Sequence, residues 1–522
     1  MIHYLAGSLI STETSLMDPV AKSQHAKKPS AEETDNDATH AESSSRLLLS
    51  SPLPSELPDP NVADAMIAKE MSNTSSRELE RAYFDVHGVI SNEVQESPQM
   101  IEQSIQALQN EMEERTSDNA ALLQAKQQDA KYVTNRNFLL PFLRSEYFDA
   151  KAAALRLARH FQVKKELFGE EKLVSDITQD DLDQETMDTL YSGLTQHLPS
   201  PDRSGRSVVV YNCNGQQRLS AMGKLKRLFY TSMVVFPNNE QSQKRGVVVV
   251  LYLLGPRSTQ LEAGAPGSMS SRKLAWKLCQ LLRALPFRLS AMHICYDSLA
   301  WSPVLVTMKM ALGAFTRIRL RSHYGSHAHC IAALQGYGIQ PCFFPIKEGG
   351  TMDTANYKTW LEGQRRTERR TMPKRTRVYV PGNFDVLFGK GSPLQNHIGN
   401  VKLRGLISDC KKTYEKTEKG RKHEISQAVI EIVKESCGLF LKQGGDDSWI
   451  VVDDAAAELK VSTLFRSLRG GKRAARKAPP QPQPQSLQNM GGVDTSTFPS
   501  SSANASNQQV KGGDQSSDSK QF

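Results

Sequence analysis

The spacing of apolar residues changes along this chain and divides it into segments of different predicted structure. From about residue 97, apolar residues recur every three or four positions, as at Ile101, Ile105, Leu108 and Met112, which is the spacing of one helix face. A second helical stripe is formed by Ala154, Leu155, Ala158 and Phe161. The pattern predicts an α-only segment that ends near residue 169.

Between about residues 195 and 346, short apolar runs alternate with helical patterns. Predicted strands cover 208–211, 247–254, 289–296 and 317–323, and predicted helices lie near 221–230, 274–285, 304–315 and 328–335. Helical crossovers of this length join parallel strands and cover the sheet. The predicted fold class is α/β, with N-terminal helices followed by a mainly parallel sheet covered by helices.

A second folded unit is predicted over residues 378–470. A Gly-rich opening, three helical patterns and a short apolar run at 449–452 indicate a small α+β domain. Before it, residues 365–377 hold seven basic residues and one acid in thirteen positions. This composition predicts that residues 347–377 form a basic linker that builds no core.

Both ends of the 522-residue chain are polar. Residues 1–90 predict a disordered acidic leader and residues 471–522 a disordered tail, which leaves 91–346 as the main folded domain. The net charge of +9 is divided unevenly, at about −13 over residues 1–130 and about +22 over the rest. The basic part is suited to acidic or phosphate-bearing partners.

Cysteine usage and hydropathy indicate in which cellular compartment the protein is expected. The seven cysteines include no C-x-x-C pair, which favours a reducing compartment. The longest strongly apolar run, residues 247–254, is less than half of a membrane span. We therefore expect no transmembrane segment and a cytoplasmic or nuclear location, with peripheral membrane contact left open.

Residues 100–346 resemble the CRAL-TRIO lipid-binding proteins. The resemblance rests on F-L-R at residues 142–144, F-D-A-K-A at 148–152, D-R-x-G-R at 202–206 before a strand, and the closing L-x-x-Y-G-I at 334–339. It implies a helical gateway and a sheet that holds a lipid. After the second strand this chain has Gly255-Pro256-Arg257 where many relatives carry an acidic residue.

The second unit resembles an uncharacterised domain family that is expanded in diatoms and has the hallmark D-[VI]-L-x-G-R-G…H-P-G-N. Lys390, Ile398 and Leu403 stand where Arg, Pro and Phe are usual. The family has no assigned activity, so the resemblance implies none. The matching positions are Asp385, Gly389, Lys390, Gly391, His397, Gly399, Asn400, Arg404, Trp449 and Phe465.

The predicted strand 317–323 carries the main candidate ligand site. A period of two places Arg317, Arg319, Arg321 and His323 on one face. Guanidinium groups bind phosphate, so an anionic head group is one candidate partner. The alternative is that the acidic segment 176–188 covers this face within the molecule.

Sequence motifs for catalysis are absent, including G-x-S-x-G, H-E-x-x-H and the P-loop, so we expect a non-enzymatic protein without a cofactor. His323, His327, His329 and Cys330 have no paired zinc-ligand spacing. We therefore expect structural or solvent-facing histidines and no metal site.

The basic runs that flank the second unit support another interpretation. Residues 365–377 and 472–477, with Lys402, Arg404 and Lys411, fit nuclear import or contact with nucleic acid. In the second unit, Asn400 is the expected N-cap of a helix that begins near Val401, and His397 has no expected structural role.

Two functions follow from these patterns. The first is a non-enzymatic lipid-binding protein with a fused regulatory domain of unknown activity. The alternative is a nuclear regulator in which the CRAL-TRIO-like fold is a scaffold and the basic domain binds nucleic acid or a protein. An enclosed apolar cavity of several hundred Å³ would favour the first, because a scaffold would be packed solid.

Overall fold

The computed structural model describes residues 49, 53, 59–89, 94–116, 119–213, 219–237, 239–254, 269–312, 314–371, 376–445 and 447–475. Most of the predicted disordered leader and nearly all of the predicted tail lie outside the described residues. The boundary between two compact units falls at Ser462.

Two helices occupy residues that the sequence pattern assigned to a disordered leader. Helix α1 spans Pro60–Asn73 and helix α2 spans Ser76–His87. The side chains of Asp59 and Ser75 cap them by accepting hydrogen bonds from backbone N–H groups. The expectation of disorder is wrong for these residues, because a few small or branched side chains on otherwise polar helices pack against the domain.

The predicted N-terminal helical segment is a set of five helices, α3 (Pro98–Thr116), α4 (Ala120–Gln128), α5 (Ala130–Val133), α6 (Arg136–Ser145) and α7 (Ala150–Phe168). Their shared core contains the predicted stripe of α3. On α7 the buried face includes Ala154, Leu157 and Phe161, whereas Leu155 is 39% exposed. The predicted stripe on α7 was therefore wrong at Leu155.

The main sheet follows helix α8 (Gln184–Tyr191) and has five strands in the order β1-β2-β3-β4-β5. Only β1 is antiparallel to its neighbour, so the mainly parallel sheet predicted from the sequence is confirmed. The strands are β1 (Thr195–His197), β2 (Ser207–Asn212), β3 (Val247–Tyr252), β4 (Leu289–Tyr296) and β5 (Leu320–Tyr324).

Helices cover both faces of this sheet. They are α9 (Ala221–Val235), α10 (Glu240–Arg245), α11 (Met269–Leu282), α12 (Ser302–Ala311), α13 (Ala314–Arg317) and α14 (His327–Gly336). One face carries Val248 and Val250, which are fully buried in a core shared with α2 and α14. The opposite face lies under α9, α11 and α12 and contains the cavity described below.

Helix α15 (Ala355–Thr371) occupies most of the predicted linker. Tyr357 and Leu361 belong to the core of the α/β domain, and Arg365 and Glu368 are also buried. The expectation of a core-free linker is therefore wrong for this helix. The many charged residues of this helix obscure its two apolar core positions in the sequence pattern. Some of these charged side chains form pairs inside the protein and are not solvated.

The small α+β unit has a four-stranded sheet in the order β6-β9-β8-β7, in which only β7 and β8 pair in parallel. Its strands are β6 (Arg377–Val378), β7 (Val386–Phe388), β8 (Phe440–Gln443) and β9 (Trp449–Val451). Its helices are α16 (Ser392–Gln395), α17 (Ile398–Lys416), α18 (Lys422–Glu435) and α19 (Asp454–Ala475).

Candidate functional site

A cavity of about 330 Å³ lies between the main sheet and the helices that cover one of its faces. Its floor is formed by β2, β3 and β4, through residues that include Val209, Val249 and Met292. Val209 pairs with Val249, and Val249 pairs with Met292, so these residues form a row across the parallel strands. Helices α9, α11 and α12 form the walls and roof.

The cavity leaves apolar side chains uncovered in the middle of the sheet. Val249 and Leu251 are only partly buried, although β3 has a hydrogen-bonded neighbour on each side. Val248 and Val250, on the opposite face of the same strand, are fully buried. Because side chains alternate between the two faces of a strand, the accessible surface of Val249 and Leu251 faces the cavity.

Helix α9 places two cations beside this apolar cavity. Ser220 caps the helix, and Gly223 allows close contact with α8, since a Cβ at that position would lie 2.8 Å from the Glu185 carbonyl oxygen. Lys224 and Leu228 line the cavity one helical turn apart. Arg227, which is 1% exposed, lies between them in sequence.

The Arg227 guanidinium is buried without a hydrogen-bond acceptor. Neither Nη1 nor Nη2 has a hydrogen-bond partner, and the guanidinium carbon lies 5.2 Å from the centroid of the Tyr211 ring. Burial lowers the pKa of Lys224, and the neighbouring Arg227 lowers it further. Within the described ranges, no carboxylate pairs with either cation.

Further polar groups line the cavity. The Tyr357 hydroxyl, the Thr195 hydroxyl and Nε2 of His197 are buried and have no hydrogen-bond partner. Burial raises the pKa of Tyr357 and lowers that of His197 to about 4, so both groups are neutral at pH 7. These groups come from β1 and α15, next to α9.

Sequence analysis did not identify this polar group of cavity residues. The available signal was the spacing of Lys224, Leu228, Thr231 and Val235, which places a cation on the face of α9 that also carries apolar residues. Tyr357 gave no such signal, because it lies in the segment interpreted as a linker.

The predicted arginine face is not formed as a continuous strand surface. Strand β5 begins at Leu320, whereas Arg317 ends helix α13 and Arg319 lies between the two elements. Only Arg321 and His323 remain on one strand face. The row of Arg317, Arg319, Arg321 and His323 was therefore wrong as a geometric prediction.

Each of these arginines has a hydrogen-bond or ion-pair partner within the molecule. These partners do not belong to the acidic segment 176–188. Arg319 is fully buried and pairs with Asp85 of α2 at 2.8 Å. Arg317 pairs with Glu70 of α1 at 2.5 Å. Arg321 donates to the carbonyl oxygens of Ile318 and Leu320. The anion-binding role of this group stays a prediction.

The histidines are dispersed among separate contacts. Nδ1 of His293 and Nε2 of His323 are 2.9 Å apart, and His327 contacts the Tyr252 hydroxyl at 2.8 Å. Among the residues that the structure describes, no group of three or more His, Cys, Asp or Glu side chains could hold a metal ion.

In the small unit, the fully buried side chain of Asp385 connects several segments through hydrogen bonds. Its carboxylate accepts hydrogen bonds from the backbone N–H groups of Gly382 and Leu439 and from Arg369 of α15. Gly399 lies against the same turn, since a Cβ there would lie 1.9 Å from the Asp385 carbonyl oxygen. These two motif residues therefore fix the position of α17 relative to β7.

The structural roles of His397 and Asn400 differ from those expected from the sequence, since His397 and not Asn400 is the N-cap. His397 is the N-cap of α17 and accepts a hydrogen bond from the Gly399 N–H group. The Asn400 side chain accepts from the N–H of Leu387 at 2.9 Å and donates to its carbonyl oxygen at 3.0 Å. Asn400 thus pairs with the backbone of β7 as a neighbouring strand would.

The remaining motif residues lie at different places in the small unit. Gly389 and Gly391 have φ angles of 143° and 112°, and Lys390 between them is exposed. Arg404 is exposed on α17, Trp449 lies in β9 and Phe465 lies in α19. The exposed basic residues do not identify a partner, and contact with nucleic acid stays a prediction.

Comparison with known proteins identifies one part of the chain. A family model described as a domain of unknown function, DUF6824, matches residues 385–467. No CRAL-TRIO family model matches, and no curated protein matches the chain. The molecule therefore combines an α/β domain that contains a cavity with a domain of unknown function. In the described part of the chain, none of the helices is both long and apolar enough to cross a bilayer.

Proposed function

We propose that this protein is a non-enzymatic binding protein that holds a lipid-like ligand in the cavity beneath α9, α11 and α12. The observation that carries the proposal is the exposure of apolar side chains, including Val249 and Leu251, to a space of about 330 Å³ between the sheet and the helices that cover it. This volume is at the lower end of the range typical of small-molecule sites, which are mostly apolar.

The apolar lining of the cavity favours a ligand over water. Covering apolar surface contributes about 25 cal/mol for each Å² removed from water. An apolar ligand that displaced water from Val249, Leu251 and the apolar side chains of α9, α11 and α12 would therefore stabilise the domain.

The order of elements supports the same proposal. The sequence resemblance to CRAL-TRIO proteins implies helices followed by a sheet that holds a lipid, and this chain has five helices before a mainly parallel sheet with a cavity on one face. The cavity favours the lipid-binding interpretation over the scaffold alternative, because a scaffold is expected to be packed solid. The cytoplasmic or nuclear location stays a prediction.

The test is a binding titration on the full chain with a neutral ligand. Nile red, whose fluorescence reports an apolar environment, is bound first and then displaced by oleyl alcohol. We expect saturable binding at one site in the wild type and its loss in Leu251→Trp, which fills the cavity. Leu155→Trp is the matched control, because Leu155 is 39% exposed on α7, remote in sequence from the cavity residues.

The result that contradicts the proposal is equally specific. If Nile red shows no saturable binding to the wild type, or if it binds Leu251→Trp as well as the wild type, the cavity is not a ligand site. Circular dichroism of both tryptophan variants shows whether they remain folded.

A further inference from the structure

Arg227 differs from the other buried arginines of the described domain. Arg144, Arg206, Arg288, Arg319 and Arg365 are each buried, and each has a carboxylate oxygen within 2.6–3.7 Å. Arg227 is as deeply buried as these residues, but Nη1 and Nη2 have no hydrogen-bond acceptor. A buried cation without a counter-charge is costly, so an acceptor from outside the chain would stabilise it.

The place for such an acceptor is the cavity. Lys224 precedes Arg227 by three residues and lines the cavity, so the two side chains lie on neighbouring parts of the α9 surface. The hydroxyl groups of Tyr357 and Thr195 line the same cavity and have no partner. Lys224 and two hydroxyl donors therefore line the cavity, and the Arg227 guanidinium lies against the ring of the lining residue Tyr211, 5.2 Å from its centroid. By contrast, β3, α11 and α12 contribute mainly apolar side chains.

We infer that the ligand is an amphiphile with an anionic head group, which pairs with Lys224 and supplies the counter-charge that Arg227 lacks, while its apolar tail occupies the space over β3 and β4. This inference rests on the proposed function and names the class of ligand that the cavity takes.

The donor groups explain the preference for an anion. A guanidinium group presents two parallel N–H donors to a carboxylate or a phosphate, and a lysine ammonium adds a third charged donor. A neutral alcohol would fill the apolar part of the cavity but would leave both cations without a counter-charge. Carboxylate and phosphate head groups share the required chemistry.

The experiment compares ligands that have the same tail. Oleate, oleoyl lysophosphatidate and neutral oleyl alcohol are titrated against the full chain. We expect at least one anionic ligand to bind about tenfold or more tightly than the alcohol, because charged hydrogen bonds form in a buried site. The ligand with the larger advantage identifies the head group as a carboxylate or a phosphate.

Variants of α9 test the residues. Arg227→Met should remove most of the preference for the anion while the alcohol still binds, and Lys224→Met should reduce the preference. Lys226→Met is the matched control, because Lys226 is on the same helix but pairs with Asp183. This variant should keep the wild-type preference.

The possible results separate the two claims. Equal binding of all three ligands to the wild type, or an unchanged preference in both Arg227→Met and Lys224→Met, would overturn the head-group inference and leave the cavity as a ligand site. Failure of all three ligands to bind the wild type would overturn the proposed function as well.

Discussion

Arg369 binds Asp385 through two hydrogen bonds, from Nη1 to Oδ1 at 2.6 Å and from Nη2 to Oδ2 at 3.0 Å. The same guanidinium donates to both carboxylate oxygens of Asp180, at 2.8 and 2.9 Å. Asp180 precedes the main sheet and Asp385 precedes β7. One arginine of α15 therefore connects the cavity-containing domain to the domain of unknown function.

The first prediction concerns this connection. Arg369→Ala should lower the free energy of unfolding by about 3–5 kcal/mol, because it leaves the buried Asp385 carboxylate without a counter-charge and removes one of the two arginines that pair with Asp180. Arg370→Ala is the control, since Arg370 is exposed and should change stability by less than about 0.5 kcal/mol. Urea unfolding at pH 7 measures both values. Equal effects in the two variants would contradict a structural role for the Arg369 pairs.

The second prediction is a pH dependence. Burial alone would raise the pKa of Asp180, but Arg369 and Arg365 lower it to about 2. Since the folded-state pKa lies below the unfolded value of about 3.9, this stabilisation is complete above that value and is lost as the pH falls toward 2. The free energy of unfolding of the wild type should exceed that of Asp180→Asn by about 2 kcal/mol at pH 7. In urea unfolding at a series of pH values, this difference should shrink between pH 4 and pH 2.

Asp188→Asn provides the comparison for that experiment. Asp188 is exposed on α8 and accepts a hydrogen bond from Gln184, so its removal should have little effect at pH 7. A difference between wild type and Asp180→Asn that stays constant from pH 7 to pH 2 would show that the charge of Asp180 does not contribute to stability.

The third prediction concerns the ligand-free protein. Arg227→Met should raise its free energy of unfolding by about 2 kcal/mol, because an apolar side chain of similar length replaces a buried cation without an acceptor. Lys226→Met should change it by no more than about 1 kcal/mol, since its partly exposed ion pair contributes little. Thermal unfolding after removal of bound lipid measures both effects. Strong destabilisation by Arg227→Met would show that the guanidinium is already satisfied within the fold.

The fourth prediction separates two neighbouring motif residues. Asn400→Ala should cost about 2–4 kcal/mol, because it removes the hydrogen bonds to Leu387 and leaves buried backbone groups unpaired. His397→Ala should cost about 1 kcal/mol, the usual effect of losing an N-cap. Chemical unfolding of both variants shows which substitution lowers the free energy of unfolding more. A larger loss in His397→Ala would contradict the roles assigned here.

Sequence periodicity was sufficient for the elements that bury one continuous apolar face. The run at 289–296 has the same bounds as strand β4, and the run at 247–254 contains β3. The alternation of strands and helices also gave the parallel sheet. These features depend on local spacing, which a single sequence contains.

The errors occur where charges are buried. Arg365 and Arg369 made α15 look like a solvated linker, yet both pair with Asp180, which is 185 or more residues earlier in the chain. Arg319 looked like a ligand-binding residue, yet it pairs with Asp85. An ion pair between distant segments produces no repeating pattern in the local sequence. The spacing of residues therefore could not predict these partners, nor the absence of a hydrogen-bond acceptor at the Arg227 Nη atoms.

Native mass spectrometry of the full chain, incubated with equal amounts of oleate and oleyl alcohol, tests the central claim most directly. We predict a one-to-one complex whose added mass is that of oleic acid, its absence in Leu251→Trp, and a shift toward the alcohol complex in Arg227→Met. Wild-type protein that carries neither ligand, or that carries both equally and in the same proportion as Arg227→Met, would contradict an anionic amphiphile in the cavity.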